Sequence, residues 1–187
     1  MVRNHYDIPF SDYGICTFHP VTSEQDTMAE QASNLFGALD ASGKNFVVIL
    51  PNNDPGTDDI MAVIHKLPTD RFRILPSMRF SHFSELMKNA ACIVGNSSAG
   101  VRKAPFLSIP SLDVGTRQNG RAQSASVTNA RAEERDRISA FLEQDWGKRY
   151  PANDDFGQGS ASERFVEIMG QDTFWQAKLQ KVFADHA

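Results

Sequence analysis

Short apolar runs alternate with longer amphipathic stretches along the first two thirds of the chain, and this alternation limits the possible folds most strongly. Because the predicted strands are apolar on both faces, helices have to cover both sides of the sheet. The sequence therefore predicts a Rossmann-like α/β domain with a doubly wound parallel sheet. The predicted strands are 15–18, 46–50, 72–75, 92–94 and 111–114, and the predicted helices lie near 23–41, 58–66, 80–89 and 98–107.

The composition excludes several classes of protein. Hydrophobic residues make up 41% of the 187 residues and charged residues 22%, which is enough apolar material for a folded core. The formal net charge of -4 argues against nucleic acid as the main partner. Residues 1–12 lack the apolar run of a signal peptide, and the longest apolar runs are only strand-length, so we expect a cytoplasmic chain without membrane contact.

The pattern changes after Arg121. Helices are predicted at 132–144, 160–169 and 172–185, with a loop at 146–159. The last helix carries apolar residues at helical spacing, and such a stripe either packs on its own domain or covers a partner. These residues are Phe174, Trp175, Leu179, Val182 and Phe183.

Ligands of doubly wound sheets bind beyond the carboxyl ends of the strands, so one rim of this domain is the place to seek a site. The strongest signal there is the loop 95–102, which reads GNSSAGVR, follows a buried strand and opens a helix. A helix start offers unpaired N–H groups and the positive end of the helix dipole, and both favour phosphate. Ser97 and Ser98 add hydroxyl donors, Gly100 permits close approach of a ligand, and Arg102 adds charge.

Loop 95–102 has three alternative interpretations. A Walker P-loop requires Gly-Lys-Ser/Thr at its end, which is absent. A nucleophile elbow requires glycine where Ala99 stands, so a serine hydrolase acting through Ser97 or Ser98 is disfavoured. A helix cap of small residues that only packs remains open.

The other rim loops supply cationic and polar groups but little acid. Loop 115–121 reads GTRQNGR, and Arg117 and Arg121 either clamp a diphosphate from the far side or lie in solvent. His19 follows the first strand. The histidines lack paired ligand spacing, so neither a metal nor another cofactor is predicted. Asp54 and Asp113 are explicable as turn and strand-end residues, and no catalytic residue is predicted in the chain.

Taken together, these stretches resemble the hydrolysing UDP-N-acetylglucosamine 2-epimerases, including those of the sialic-acid and legionaminic-acid pathways. The resemblance runs in family order from about Tyr13 to Met169. The matching segments are 19–22 (HPVT), 50–56 (LPNNDPG), 93–102 (IVGNSSAGVR), 104–106 (APF) and 115–121 (GTRQNGR).

The resemblance implies the C-terminal half of a glycosyltransferase-B fold, with UDP or a UDP-sugar held in the interdomain cleft. It implies that Ser97 and Ser98 hold the diphosphate with Arg117 nearby, that His19 faces the pyrophosphate, and that Asn52 and Met78 line the nucleoside pocket. The family reaction resembles elimination of UDP followed by water addition with inversion at C2, giving a free N-acetylmannosamine-type sugar.

The resemblance also implies a domain organisation and a partner. It makes 1–12 a hinge or N-terminal remnant, 13–170 the nucleotide-binding domain and 171–187 a C-terminal helix that reaches a missing or partner domain. Because the family's catalytic carboxylates come mainly from the N-terminal domain, we expect the isolated chain to be inactive. The alternative is a non-enzymatic assembly module that pairs with a separate N-terminal domain or with a second copy of itself.

One residue departs from the family pattern. The family places a glutamate directly after the arginine of loop 95–102, where it resembles a clasp for the ribose hydroxyls, and this chain has Lys103. A lysine has donors and no acceptor, so it cannot receive the hydroxyl hydrogens. We expect weakened nucleotide binding unless a neighbouring group substitutes.

Overall fold

The computed structural model describes residues 2–121, 124–176 and 180. The described residues fall into two compact units, one that ends at Asn153 and one that begins at Asp154. The first unit contains a 3₁₀ helix at Thr22–Thr27 together with helices α1 (Val2–His5), α2 (Met28–Ala41), α3 (Thr57–Ile64), α4 (Phe80–Lys88), α5 (Ser98–Phe106) and α6 (Arg135–Gln144), and strands β1 (Gly14–Thr17), β2 (Phe46–Ile49), β3 (Phe72–Leu75), β4 (Ile93–Gly95), β5 (Ser111–Val114) and β6 (Val127–Ala130).

The six strands form one sheet in the order β3-β2-β1-β4-β5-β6, and every neighbouring pair is parallel. The chain builds outward from β1 to β3 on one side and from β4 to β6 on the other. The order therefore reverses between β1 and β4, and the loops that follow these two strands border the crevice in which such sheets bind ligands.

Each face of the sheet is covered by its own layer. One face packs against α2, α3 and α6 through residues such as Phe36 and Leu112, which have 0% exposure. The other packs against α4, α5 and the N-terminal segment through residues such as Ile93 and Ala104. Burial of strands on both faces is the physical reason for their uninterrupted apolar runs, and it confirms the predicted doubly wound fold.

The sequence predicted five of the six strands to within two residues and missed β6. The sequence of β6, Val-Thr-Asn-Ala, is half polar, and among these four residues only Ala130 is buried. As an edge strand β6 pairs on one side with β5 alone, so it needs no continuous apolar run. Its signal was therefore too weak to distinguish from a loop.

Both ends of the chain bear on the expected domain organisation. Residues 2–12 belong to the first unit, and Ile8 and Phe10 are buried in the layer that contains α4 and α5. Arg73 Nε also donates a 2.8 Å hydrogen bond to the Tyr6 carbonyl. These side chains complete the core of the first unit, and the expected role of 1–12 as a hinge or N-terminal remnant stays a prediction. The boundary between the two units falls after Asn153, and the expected domain boundary at residue 170 likewise stays a prediction.

The second unit contains α7 (Ala161–Met169) and α8 (Asp172–Trp175). Trp175 Nε1 donates a 2.8 Å hydrogen bond to the Met169 carbonyl, and Phe174 packs edge-on against Trp175. The start of the predicted helix 172–185 is thus observed. Its continuation through Leu179, Val182 and Phe183 lies outside the described residues. Within the described ranges, no helix has the length and apolar character needed to cross a bilayer.

Candidate functional site

Asn96 joins the two loops that border the crevice. Its side-chain Oδ1 accepts a 2.7 Å hydrogen bond from the His19 amide, and its Nδ2 donates a 2.7 Å hydrogen bond to the His19 carbonyl. The Asn96 amide donates to the Thr17 carbonyl at 3.1 Å. With 1% exposure, Asn96 is a fully buried polar residue whose bonds fix the loop after β1 against the loop after β4.

The loop after β5 is attached to the same residue. Gln118 Nε2 donates a 2.8 Å hydrogen bond to the Asn96 carbonyl, and an Arg117 guanidinium nitrogen lies 3.3 Å from that oxygen. The serine-containing loop and the arginine-containing loop are therefore in direct contact, as the predicted diphosphate site requires.

The N-terminus of α5 is capped only in part by its own residues. Ser97 Oγ accepts a 3.3 Å hydrogen bond from the Ala99 amide, and the Ser97 carbonyl accepts one of 3.0 Å from Gly100. Among the described residues, no acceptor is hydrogen-bonded to the Ser98 amide. Ser97 and Ser98 are half-buried. The helix start thus retains an outward donor in the positive field of the helix dipole, which suits an anion.

His19 faces this region from the loop after β1. Its Nδ1 lies 3.1 Å from Asn52 Oδ1 and 3.3 Å from the Asn52 amide nitrogen. Both contacts engage Nδ1, so Nε2 is the ring nitrogen directed away from Asn52. Burial lowers the pKa of His19, and the Arg117 guanidinium lowers it further, against opposing effects of Asn52 and Asp54. His19 is thus neutral near pH 7 and serves as a hydrogen-bonding group.

The structure gives a packing reason for glycine at position 100. A Cβ at this position would lie 2.7 Å from Ser111 Oγ of β5 and 3.7 Å from Ile93 Cγ2 of β4. The missing side chain therefore faces the sheet, and glycine is required because α5 packs closely on β4 and β5. That Gly100 also admits a ligand to the backbone stays a prediction.

Glycine is required at position 95 because the backbone of β1 approaches it even more closely. It has φ of 126°, and an added Cβ would lie 2.1 Å from the Thr17 carbonyl oxygen. The contact brings the ends of β1 and β4 together directly below the Asn96–His19 hydrogen bonds. Sequence analysis noted this glycine only as part of its loop.

Lys103 lies against aromatic side chains of α4. Its Nζ is 3.8 Å from the centroid of the Phe80 ring and 5.9 Å from that of Phe83. Burial lowers the pKa of Lys103, and the nearby Arg102 adds to this effect. The ring of Phe80 is 70% exposed at the carboxyl end of β3. An aromatic ring stabilises an ammonium on its face, which explains the position of the lysine side chain.

The remaining predicted residues lie around the same rim. Met78, between β3 and α4, is half-buried and packs against the core layer that contains α5. Arg102 and Arg121 are exposed, and an Arg121 nitrogen lies 3.4 Å from Gln118 Oε1. Sequence analysis missed Asn96 and Gln118 as structural residues of the site, although both stand inside the loops that it singled out. In the described ranges, no cluster of three or more His, Cys, Asp or Glu residues suits a metal ion.

A six-stranded parallel sheet with a basic, serine-containing rim at the point of strand reversal defines a Rossmann-like domain. Solved structures share this fold. A Methanocaldococcus jannaschii UDP-GlcNAc 2-epimerase in complex with UDP-GlcNAc and UDP matches with a TM-score of 0.70 at 18% identity, over 90% of this chain and 48% of that one. A Neisseria meningitidis UDP-GlcNAc 2-epimerase bound to UDP-GlcNAc matches with a TM-score of 0.68 at 17% identity, over the same shares. The domain is therefore one Rossmann-like half of a glycosyltransferase-B fold.

The sequence comparisons give the family. The family model described as UDP-N-acetylglucosamine 2-epimerase matches residues 1–170. A UDP-N-acetylglucosamine 2-epimerase of Neisseria meningitidis serogroup B is 40% identical over 98% of this chain and 50% of its own length. A hydrolysing UDP-N,N'-diacetylbacillosamine 2-epimerase of Legionella pneumophila is 28% identical over 84% of this chain and 43% of its own. The chain belongs to the UDP-N-acetylglucosamine 2-epimerase family and spans about half the length of these relatives.

Proposed function

We propose that this chain is the C-terminal, nucleotide-binding half of a hydrolysing UDP-N-acetylglucosamine 2-epimerase and that it binds UDP or a UDP-sugar without turning it over alone. The observation that carries the proposal is the contact of the two rim loops through Asn96. Because Gln118 and Arg117 both donate to the Asn96 carbonyl, the arginine stays next to the open start of α5.

The diphosphate is assigned to the start of α5. The Ser98 amide, the hydroxyls of Ser97 and Ser98, and the Arg117 guanidinium offer donors to phosphate oxygens from two sides. His19 offers Nε2 to the ligand, and Nε2 carries the proton in the neutral tautomer whose Nδ1 accepts from the Asn52 amide. Arg102 and Arg121 supply longer-range positive charge from the edge of the rim.

The nucleoside is assigned to the adjacent rim between Asn52 and Met78, where Phe80 presents an exposed ring. In the hydrolysing reaction, these binding groups stabilise the UDP that leaves while a base removes the proton at C2. No pair of rim carboxylates serves as that base, since Asp54 accepts a hydrogen bond from Asn52 and Asp113 is buried. The proposed chain therefore binds and orients its ligand, and its partner half supplies the base, in a cytoplasmic pathway of sialic-acid-type sugars.

Calorimetric titration of the chain with UDP tests the proposal. We expect weak binding that is lost in Arg117→Gln, together with release of no free sugar from UDP-N-acetylglucosamine. The exposed Arg137→Gln on α6 serves as the charge-matched control and retains binding. Absence of binding by the unmodified chain at millimolar UDP contradicts the proposal.

The alternative, an assembly module, is favoured by a separate observation. In the second unit Phe165, Val166 and Trp175 are 64%, 70% and 64% exposed. Exposed apolar residues in one short segment are typical of surfaces that contact a partner. We propose that residues 154–176 contact the N-terminal half or a second copy. Analytical ultracentrifugation distinguishes these two partners. If the partner is a second copy, the chain sediments as a dimer that Phe165→Ser dissociates. If the chain stays monomeric up to high concentration, the partner is the N-terminal half.

A further inference from the structure

Two buried polar side chains in the sheet have no hydrogen-bond partner among the residues that the structure describes. Neither carboxylate oxygen of Asp113 nor the hydroxyl of Thr17 is paired, and the two residues are 2% and 5% exposed. Buried polar groups are nearly always hydrogen-bonded, and a buried carboxylate without a partner is costly. The burial of these two side chains without partners therefore requires a functional or structural explanation.

The register of the sheet places both side chains on the same face and at the same level. Thr17 pairs with Gly95, and Gly95 pairs with Asp113. Ser111 faces α5, as its contact with the Cβ position of Gly100 shows, and Asp113 lies two residues further along β5 on the same face. Thr17 and Asp113 therefore lie below the first turn of α5, on either side of a residue without a side chain.

This position is close to the proposed diphosphate site. Neighbouring strands are about 4.8 Å apart, and Ser97 and Ser98 follow Gly95 directly, so the Asp113 carboxyl lies within about 10 Å of the α5 N-terminus. We propose that Asp113 takes up a proton from solvent when a nucleoside diphosphate binds at the start of α5, and that its ionised form weakens this binding. The inference rests on the proposed function.

Electrostatics support this role. Burial raises the pKa of Asp113 to about 6, so the carboxyl changes its charge in a range that cells and compartments reach. A carboxylate and a diphosphate in the same neighbourhood repel each other, whereas a neutral acid does not. Binding of the anion therefore favours the protonated form, and protonation favours binding of the anion, by equal amounts.

Among the described residues, the strands beside Asp113 contribute no second acid at its level. At the level of Asp113, β1 contributes Thr17, β4 contributes Gly95 and β6 contributes Asn129. The charged residues of α5 are basic, Arg102 and Lys103, and the rim loops contribute Arg117 and His19. His19 also titrates and has to be separated from Asp113 in any test.

Calorimetric titration with UDP-N-acetylglucosamine between about pH 5 and pH 8 tests the inference. The diphosphate of this ligand has no terminal phosphate that titrates near pH 6, unlike UDP. We expect the affinity of the unmodified chain to fall about tenfold as the pH rises over this range. This is the size of the repulsion between two unit charges about 10 Å apart at an effective dielectric constant near 20. In Asp113→Asn the fall shrinks to the part that His19 contributes, and His19→Gln binds more weakly but keeps the part that Asp113 contributes.

A second measurement covers the case in which Asp113→Asn does not fold. Titration of His19→Gln in two buffers of different ionisation enthalpy reports protons taken up on binding, and we expect uptake between about pH 6 and pH 7. Equal pH dependence of Asp113→Asn and the unmodified chain, or no proton uptake by His19→Gln, overturns the inference and leaves the proposed function intact. Absence of binding at every pH overturns the proposed function and the inference with it.

Discussion

The Asn96 side chain and the His19 backbone exchange two hydrogen bonds of 2.7 Å, one in each direction. The two residues are 77 positions apart in the chain and follow strands β1 and β4, between which the strand order reverses. A primary amide has one acceptor and one donor edge, and here both meet the two polar groups of a single backbone residue. The pair therefore fixes the crevice in which the ligand is proposed to bind.

Asn96→Ala tests this pair. The substitution leaves the His19 amide and carbonyl without their partners in a buried site, and we expect the free energy of unfolding to fall by about 2–3 kcal/mol. Urea denaturation followed by circular dichroism measures the loss. Asn119→Ala, in the exposed part of loop 115–121, is the matched control and stays within about 0.5 kcal/mol of the unmodified chain. Equal stability of the two variants would contradict the role of Asn96.

A comparison of Gly95→Ala with Gly120→Ala separates the cost of a steric clash with a neighbouring strand from the cost of a positive φ. Both glycines have positive φ, 126° and 72° respectively. An added Cβ meets the Thr17 carbonyl at 2.1 Å in the first case and nothing within 4 Å in the second. We expect Gly95→Ala to lose more than about 3 kcal/mol or to fail to fold, and Gly120→Ala to lose about 1 kcal/mol. Thermal unfolding measures the difference, and similar melting temperatures for the two variants would refute the steric explanation.

Asp113 gives the chain a pH-dependent stability that is independent of any ligand. Burial raises the pKa of Asp113 from 3.8 to about 6 in the folded protein. A carboxyl that holds its proton more tightly when folded contributes stability below about pH 4, and this contribution is lost as the pH rises through about 6. We expect the unmodified chain to lose about 2 kcal/mol relative to Asp113→Asn between pH 4 and pH 7.

Urea denaturation at a series of pH values measures this difference. Asp136→Asn, on the exposed surface of α6, serves as the control and is expected to follow the curve of the unmodified chain. Parallel stability curves for Asp113→Asn and the unmodified chain would show that the Asp113 carboxyl is not perturbed by its burial.

Lys103→Glu tests whether the lysine weakens nucleotide binding. Glutamate supplies an acceptor for ribose hydroxyls, and a charged hydrogen bond of about 1.5–3 kcal/mol predicts roughly tenfold to hundredfold tighter UDP binding. Lys103→Met, which removes the charge and adds no acceptor, separates the two effects and gains little. Lys66→Glu, in the exposed turn after α3, controls for net charge. Unchanged affinity in Lys103→Glu would exclude a contact between position 103 and the ribose.

Much of the fold follows from local patterns. The apolar runs of β1 to β5 and the amphipathic helices between them specify a parallel sheet covered on both faces, because only such a sheet buries strands that are apolar throughout. The same reasoning puts His19, Ser97 and Arg117 on one rim, since the carboxyl ends of parallel strands lie at one edge. It failed for β6, whose edge position leaves no strong apolar pattern.

The tertiary structure alone decided how the rim residues are used. The chain's periodicity cannot show that Gly100 faces Ser111, that Lys103 lies on Phe80, or that Asn96 holds the His19 backbone. Nor can it show that Asp113, an ordinary strand-end residue by its sequence, is buried without a partner below α5. The physical reason is the separation along the sequence of the residues that interact. Helix and strand periodicity depend on neighbours a few residues away, whereas these contacts join segments that meet only after the sheet has formed its register.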